Sequence, residues 1–87
     1  MTTTQTNDIL RAEINLLEQI IDIQIEGLEI TRKGIREQPN FLIDWLIQKN
    51  ELEEKITENV ILLRKAQIEL KNNTSLQNKF INGKSKN

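Results

Sequence analysis

The segment Asn7–Gly34 has the sequence NDILRAEINLLEQIIDIQIEGLEITRKG, in which isoleucine or leucine recurs every three or four residues. This spacing places apolar side chains along one side of an α-helix. In a heptad frame with Ile14, Ile21 and Leu28 at position a, the apolar arc covers about 200°, against the roughly 100° that one packed face needs. A helix with so wide an apolar arc is expected to pack against more than one neighbour.

The residues around this segment indicate where the helix begins and ends. The first six residues are rich in threonine and lack periodicity, and the side chain of Asn7 or Asp8 is a suitable N-cap. Gly34 follows two basic residues and suits the left-handed position after a helix, and Pro39 prevents the helix from continuing. We therefore predict a flexible leader at 1–6, a helix at 7–33 and a turn at 34–39.

A second helix is predicted at 40–72. Its candidate core residues are Leu42, Trp45, Leu46, Leu52, Ile56, Val60, Leu63, Ala66 and Leu70. Reversal of the chain near residue 37 would pair residues whose numbers sum to about 74, which places Gln24 near Lys49 and Asn50. Gln24 then either reaches solvent or forms a polar layer that sets the register. The predicted fold class is all-α: a two-helix antiparallel hairpin, completed as a four-helix bundle by dimerisation or by a partner.

Several apolar residues of the first helix remain after the hairpin positions a and d are filled. These candidate interface residues are Ile9, Leu16, Ile20, Ile23 and Ile30. Packing at the turn end of the hairpin is the favoured role of Trp45, and an exposed anchor is the alternative for which it is added to the interface residues. Gly27 is either neutral or a point of close helix approach.

The composition offers little for catalysis. The chain lacks histidine, cysteine and tyrosine, and its three glycines are isolated. Glu51, Glu54 and Glu58 share one helix face, which we interpret as solvated rather than as a cation site. We predict no enzymatic activity, catalytic residue, cofactor, metal or small-molecule substrate.

Charge and hydropathy restrict the partners further. A net charge of -1 argues against a bulk interaction with nucleic acid. Acidic residues interrupt the first helix, so no apolar run approaches the roughly 20 residues of a membrane span. We expect a cytoplasmic protein without a membrane partner.

The segment 73–87 is rich in asparagine, serine and lysine, and we predict that it is a disordered tail. Leu76, Phe80 and Ile81 form a possible partner-binding motif in this tail. Its lysines leave nucleic-acid association open as a less favoured role.

These features predict a small helix–helix interaction module with a structural, adaptor or regulatory role, which works as a homodimer or with a helical protein partner. The alternative is a chaperone or inhibitor-type protein that holds one specific partner's helix in the groove beside the first helix.

Overall fold

The protein is an antiparallel pair of long helices. The computed structural model describes residues 2–85, with side chains for residue 2 and residues 4–75. Helix α1 (Thr3–Glu37) and helix α2 (Leu42–Ser85) are joined by a single 3-10 turn at Pro39–Phe41. Residues 2–85 contain no strand. The predicted all-α helical hairpin is confirmed.

Helix α1 begins before the predicted leader has ended. The Thr2 side chain accepts a hydrogen bond of 3.1 Å from the Gln5 amide, and the Gln5 side chain accepts one of 2.9 Å from the Thr2 amide. This reciprocal pair is a capping box, which satisfies two amides that a helix start otherwise leaves unpaired. The Thr-x-x-Gln spacing of Thr2 and Gln5 was the sequence signal for this start. The helix begins at Thr3, four residues before Asn7.

Helix α1 also continues beyond its predicted end at Lys33. Gly34 lies inside the helix, and no described residue has a positive φ, so the predicted left-handed ending at Gly34 is wrong. The helix stops because Gln38, which precedes a proline, adopts φ -129° and ψ 67°. The reversal therefore falls at 38–41 instead of 34–39.

Side chains that face the other helix follow a heptad pattern in both helices. The inner residues of α1 are Asn7, Leu10, Ile14, Leu17, Ile21, Gln24, Leu28, Thr31 and Ile35. Those of α2 are Trp45, Lys49, Leu52, Ile56, Asn59, Leu63, Ala66, Leu70 and Asn73. We call these two rows the seam. The α1 row occupies positions a and d of the predicted frame, as expected for a left-handed coiled coil.

The register of the seam differs from the predicted one. Asn73 bonds to Asn7, Leu52 lies beside Gly27 and Trp45 beside Gly34, so paired residue numbers sum to about 80 rather than 74. The later reversal of the chain causes this shift. It leaves three predicted core residues on the exposed surface of α2: Leu42, Leu46 and Val60.

Helix α2 runs to Ser85 rather than ending at Asn72. Asparagine is a poor helix former. The Asn73 side chain, however, donates a hydrogen bond of 3.1 Å to the Asn7 side chain, and Asn7 is only 2% exposed. This contact with α1 stabilises the helix where its sequence is weakest.

The hairpin is a rod. Its extents are 72 × 20 × 14 Å and its radius of gyration is 19.9 Å, against about 12 Å for a compact domain of this length. Two helices side by side enclose no central core, so most of each helix surface faces outward.

Candidate helix-helix interface

The outer side of α1 carries a row of exposed isoleucine and leucine side chains. Its members are Ile9 (52% exposed), Leu16 (57%), Ile23 (67%) and Ile30 (64%). They lie seven residues apart, two helical turns each, and so form one straight line that we call the α1 stripe. The fifth predicted interface residue of this helix, Ile20, is half-buried between the stripe and the seam.

The α1 stripe and one edge of α2 lie on the same side of the hairpin. A shallow groove between the helices is lined by Glu13, Leu16, Leu17, Leu62, Lys65, Ala66 and Glu69. Leu16 of the stripe and the half-exposed Leu62 of α2 therefore share one surface, which we call the stripe face. Sequence reasoning did not identify Leu62 as a site residue. The available signal was the continuous apolar run at 60–63, of which only Leu63 is needed in the seam.

Trp45 packs within the hairpin. A Cβ atom added to Gly34 would lie 2.3 Å from an indole carbon of Trp45, so the ring rests directly on the α1 backbone. The side chain is half-buried, and its Nε1 is buried with no hydrogen-bond partner among the described residues. Of the two roles considered for Trp45, these contacts favour packing at the turn end.

A second apolar cluster surrounds the turn. Its exposed members are Phe41, Leu42, Ile43, Leu46 and Ile47. We call this group the turn cluster. It lies at the end of the rod, and Ile43 is the most exposed of its side chains at 74%.

The accessible area agrees with an incomplete core. The chain exposes 6986 Å², whereas a compact monomer of 10.2 kDa exposes about 5,300 Å². The excess of about 1,700 Å² follows from the elongated shape of the hairpin, in which most of each helix surface faces outward.

The acidic side chains of α2 do not converge. Glu53, Glu54 and Glu58 line a shallow depression along one helix together with Asn50 and Thr57. Among the described residues, no group of three or more His, Cys, Asp or Glu side chains is placed to hold a metal ion. Within the same part of the chain, neither helix is long and apolar enough to cross a membrane.

The predicted tail motif is not tested. The side chains of Leu76, Phe80 and Ile81 lie outside the described side chains, although the α2 backbone passes through these positions. The motif stays a prediction.

Comparison of the chain with models of protein families, with curated proteins and with solved structures found no match. The functional argument therefore depends on the surface of the hairpin itself.

Proposed function

We propose that this protein is a small non-enzymatic helix–helix interaction module that self-associates, two hairpins forming a four-helix bundle. The observation that carries the proposal is the α1 stripe: four large apolar side chains, each more than half exposed, in one line on one helix. Complete burial of an exposed side chain of this size is worth about 1.5–3 kcal/mol, and these side chains, which are 52–67% exposed, would each contribute roughly 1–2 kcal/mol to an assembly. An exposed apolar row of this length is uncommon on a monomer and typical of an interaction site.

The charges of α1 fit the same role. Four of its charged side chains, Asp8, Asp22, Glu29 and Arg36, lie at heptad position b, away from the stripe face, whereas Glu13 lines the groove on that face. Helix α1 therefore has one polar edge for solvent and one apolar edge for a neighbouring helix, which is the pattern of a bundle helix.

The test is a size measurement with two matched variants. Sedimentation equilibrium of the wild-type chain at micromolar concentration is expected to give a dimer. Ile23→Asp should shift the chain toward monomer, because an unpaired carboxylate buried in the interface costs several kcal/mol. Ile25→Asp is the control: it is the same substitution two residues away, about 200° around the helix, and it should leave the size unchanged.

A wild-type chain that is a well-folded monomer at these concentrations would contradict the proposal. Equal effects of Ile23→Asp and Ile25→Asp on size would instead show that the substitutions act through folding rather than through the stripe face.

The second candidate is a chaperone or inhibitor-type protein that holds one specific partner's helix. The turn cluster favours it, because these exposed apolar side chains give a partner a second apolar surface at the end of the rod. A monomeric chain whose stripe-face variants keep their size but lose binding of a helical partner would support this function over self-association.

A further inference from the structure

We propose that the two hairpins pack stripe face to stripe face about a two-fold axis that crosses α1 at Gln19–Ile20 and α2 at Leu62. Each helix then lies antiparallel to its own copy. This inference rests on the proposed self-association and adds which surfaces meet and in what orientation.

Symmetry leaves two ways to stack two hairpins face to face. If the two-fold axis is perpendicular to the helices, α1 packs against α1 of the second copy in antiparallel orientation. If the axis runs along the bundle, α1 packs against α2 of the second copy. Both are closed two-fold arrangements, so the chemistry of the stripe face selects between them.

The α2 half of the stripe face is charged. Leu62 and Lys65 line its groove, and one heptad earlier on the same face lie the exposed Lys55 and Glu58. If α1 covered the second α2, Glu13 of the groove would lie level with residues 65–69, and the apolar stripe would desolvate Lys55 and Glu58 without pairing them, which is unfavourable. The α1 stripe therefore packs against the α1 stripe of the second copy.

The stripe also fixes the axis. Antiparallel α1 helices pair all four stripe residues when Ile9 meets Ile30 of the second copy and Leu16 meets its Ile23. The axis then crosses α1 between residues 19 and 20. In this register Ile20 meets its own copy, and Glu13 faces the second copy's Gly27, so no like charges are opposed.

The charges of α2 independently give the same axis. A two-fold axis at Leu62 places Glu58 opposite Lys65 of the second copy, and Lys55 opposite its Glu69. Opposite charges therefore meet along the α2 pair, and Leu62 meets Leu62 at the centre.

The pairing of α1 with α2 within one hairpin shows how closely the axis position derived from α1 matches the one derived from α2. The contacts between the helices give paired sums of 83 for Gln24 with Asn59, 80 for Asn7 with Asn73, and 79 for Gly27 with Leu52 and for Gly34 with Trp45. With a sum of about 80, the axis at residues 19–20 of α1 lies level with residues 60–61 of α2, roughly 2–3 Å along the helix from Leu62. An apolar pattern in α1 and a charge pattern in α2 thus place the axis at nearly the same height.

Cysteine cross-linking tests the arrangement, because the natural chain contains no cysteine. Ile20→Cys and Leu62→Cys should each form a disulfide with the same residue of the second copy under mild oxidation. Glu13→Cys is the control: its two copies would lie about 20 Å apart along the helices, beyond disulfide reach. Mixing Glu13→Cys with Gly27→Cys should give the mixed disulfide.

Each outcome bears on the proposal. A dimer that forms neither the Ile20 nor the Leu62 cross-link would overturn this arrangement while leaving the proposed self-association intact. A dominant mixed disulfide between Ile20→Cys and Leu62→Cys would show α1 over α2 instead. A chain that is monomeric by size would remove both the arrangement and the proposed function.

Charge reversal gives a second readout that keeps the apolar stripe unchanged. Glu58→Lys or Lys65→Glu alone should weaken dimerisation about tenfold, because each creates two like-charge contacts across the axis. The double variant exchanges both charges and so restores opposite charges between the two copies, and it should regain wild-type affinity. Residues 58 and 65 are too far apart on one helix to pair within one copy. Glu54→Lys, on the outward side of α2, should have no effect. Failure of the double variant to restore affinity would contradict the α2 pairing.

Discussion

The side-chain amide of Asn59 donates a hydrogen bond of 3.0 Å to the side-chain oxygen of Gln24 across the seam, and both residues are half-buried. Asn73 and Asn7 repeat this arrangement nearer the start of α1. An amide in such a position is satisfied only when its partner lies opposite. Sliding one helix along the other would leave both pairs unmatched, so the two contacts favour one register of the hairpin.

Removing one member of the central pair should therefore cost more than removing both. Gln24→Leu leaves the Asn59 amide half-buried without its partner, and we expect a loss of about 1–3 kcal/mol in the free energy of unfolding. The double variant Gln24→Leu/Asn59→Leu should recover most of that loss or exceed wild-type stability. Urea unfolding followed by circular dichroism measures both. Equal destabilisation by the single and double variants would show that the hydrogen bond contributes little.

The two glycines of the α1 seam edge should respond in opposite directions to alanine. At Gly34 an added Cβ would lie 2.3–2.6 Å from atoms of the Trp45 ring, whereas at Gly27 it would lie 3.5 Å from Leu52. Gly34→Ala must displace the indole and should destabilise the hairpin by about 1–3 kcal/mol. Gly27→Ala makes an ordinary contact and should stabilise it by about 0.5–1 kcal/mol through helix propensity. Thermal unfolding of both variants checks the contrast, and a stabilising Gly34→Ala would contradict the close packing of Trp45.

The sequence was sufficient to predict the helix type, the hairpin and the inner face of α1. Leu10 and Ile21, at positions d and a of the predicted frame, are buried, while Ile23 at position c is exposed. These predictions succeeded because they depend on local periodicity, which a single helix already contains.

The turn and the register were not predictable in the same way. Gly34 after two basic residues is a good helix ending, yet an interior glycine costs a helix only about 1 kcal/mol, which packing against Trp45 can offset. Local sequence does not distinguish these two uses of glycine. The error of a few residues at the turn then changed every predicted pair, so Gln24 was placed near Lys49 instead of Asn59.

Association coupled to folding should make thermal stability depend on protein concentration. For a two-state dimer of this chain length, each tenfold increase in concentration should raise Tm by about 4 °C. Differential scanning calorimetry over a hundredfold range of concentration measures this shift. Ile23→Asp should flatten the dependence, and Ile25→Asp should preserve it. A wild-type Tm that does not change with concentration would contradict folding-linked association through the α1 stripe.

The part of α2 that extends beyond its last residue paired with α1 should not be needed for the hairpin to fold. Helix α1 begins at Thr3, and paired numbers sum to about 80, so the part of α2 at 78–85 has no α1 residue opposite it. Deleting 78–87 should leave helicity per residue, dimer size and Tm nearly unchanged, because a helix end without a neighbouring helix gains little to offset the entropy of ordering it. Deleting 71–87 instead removes Asn73 and leaves the buried Asn7 amide unpaired, and we expect a loss of about 1–3 kcal/mol. If the shorter deletion lowers Tm as much as the longer one, the segment docks on the hairpin and the predicted independence of the tail is wrong.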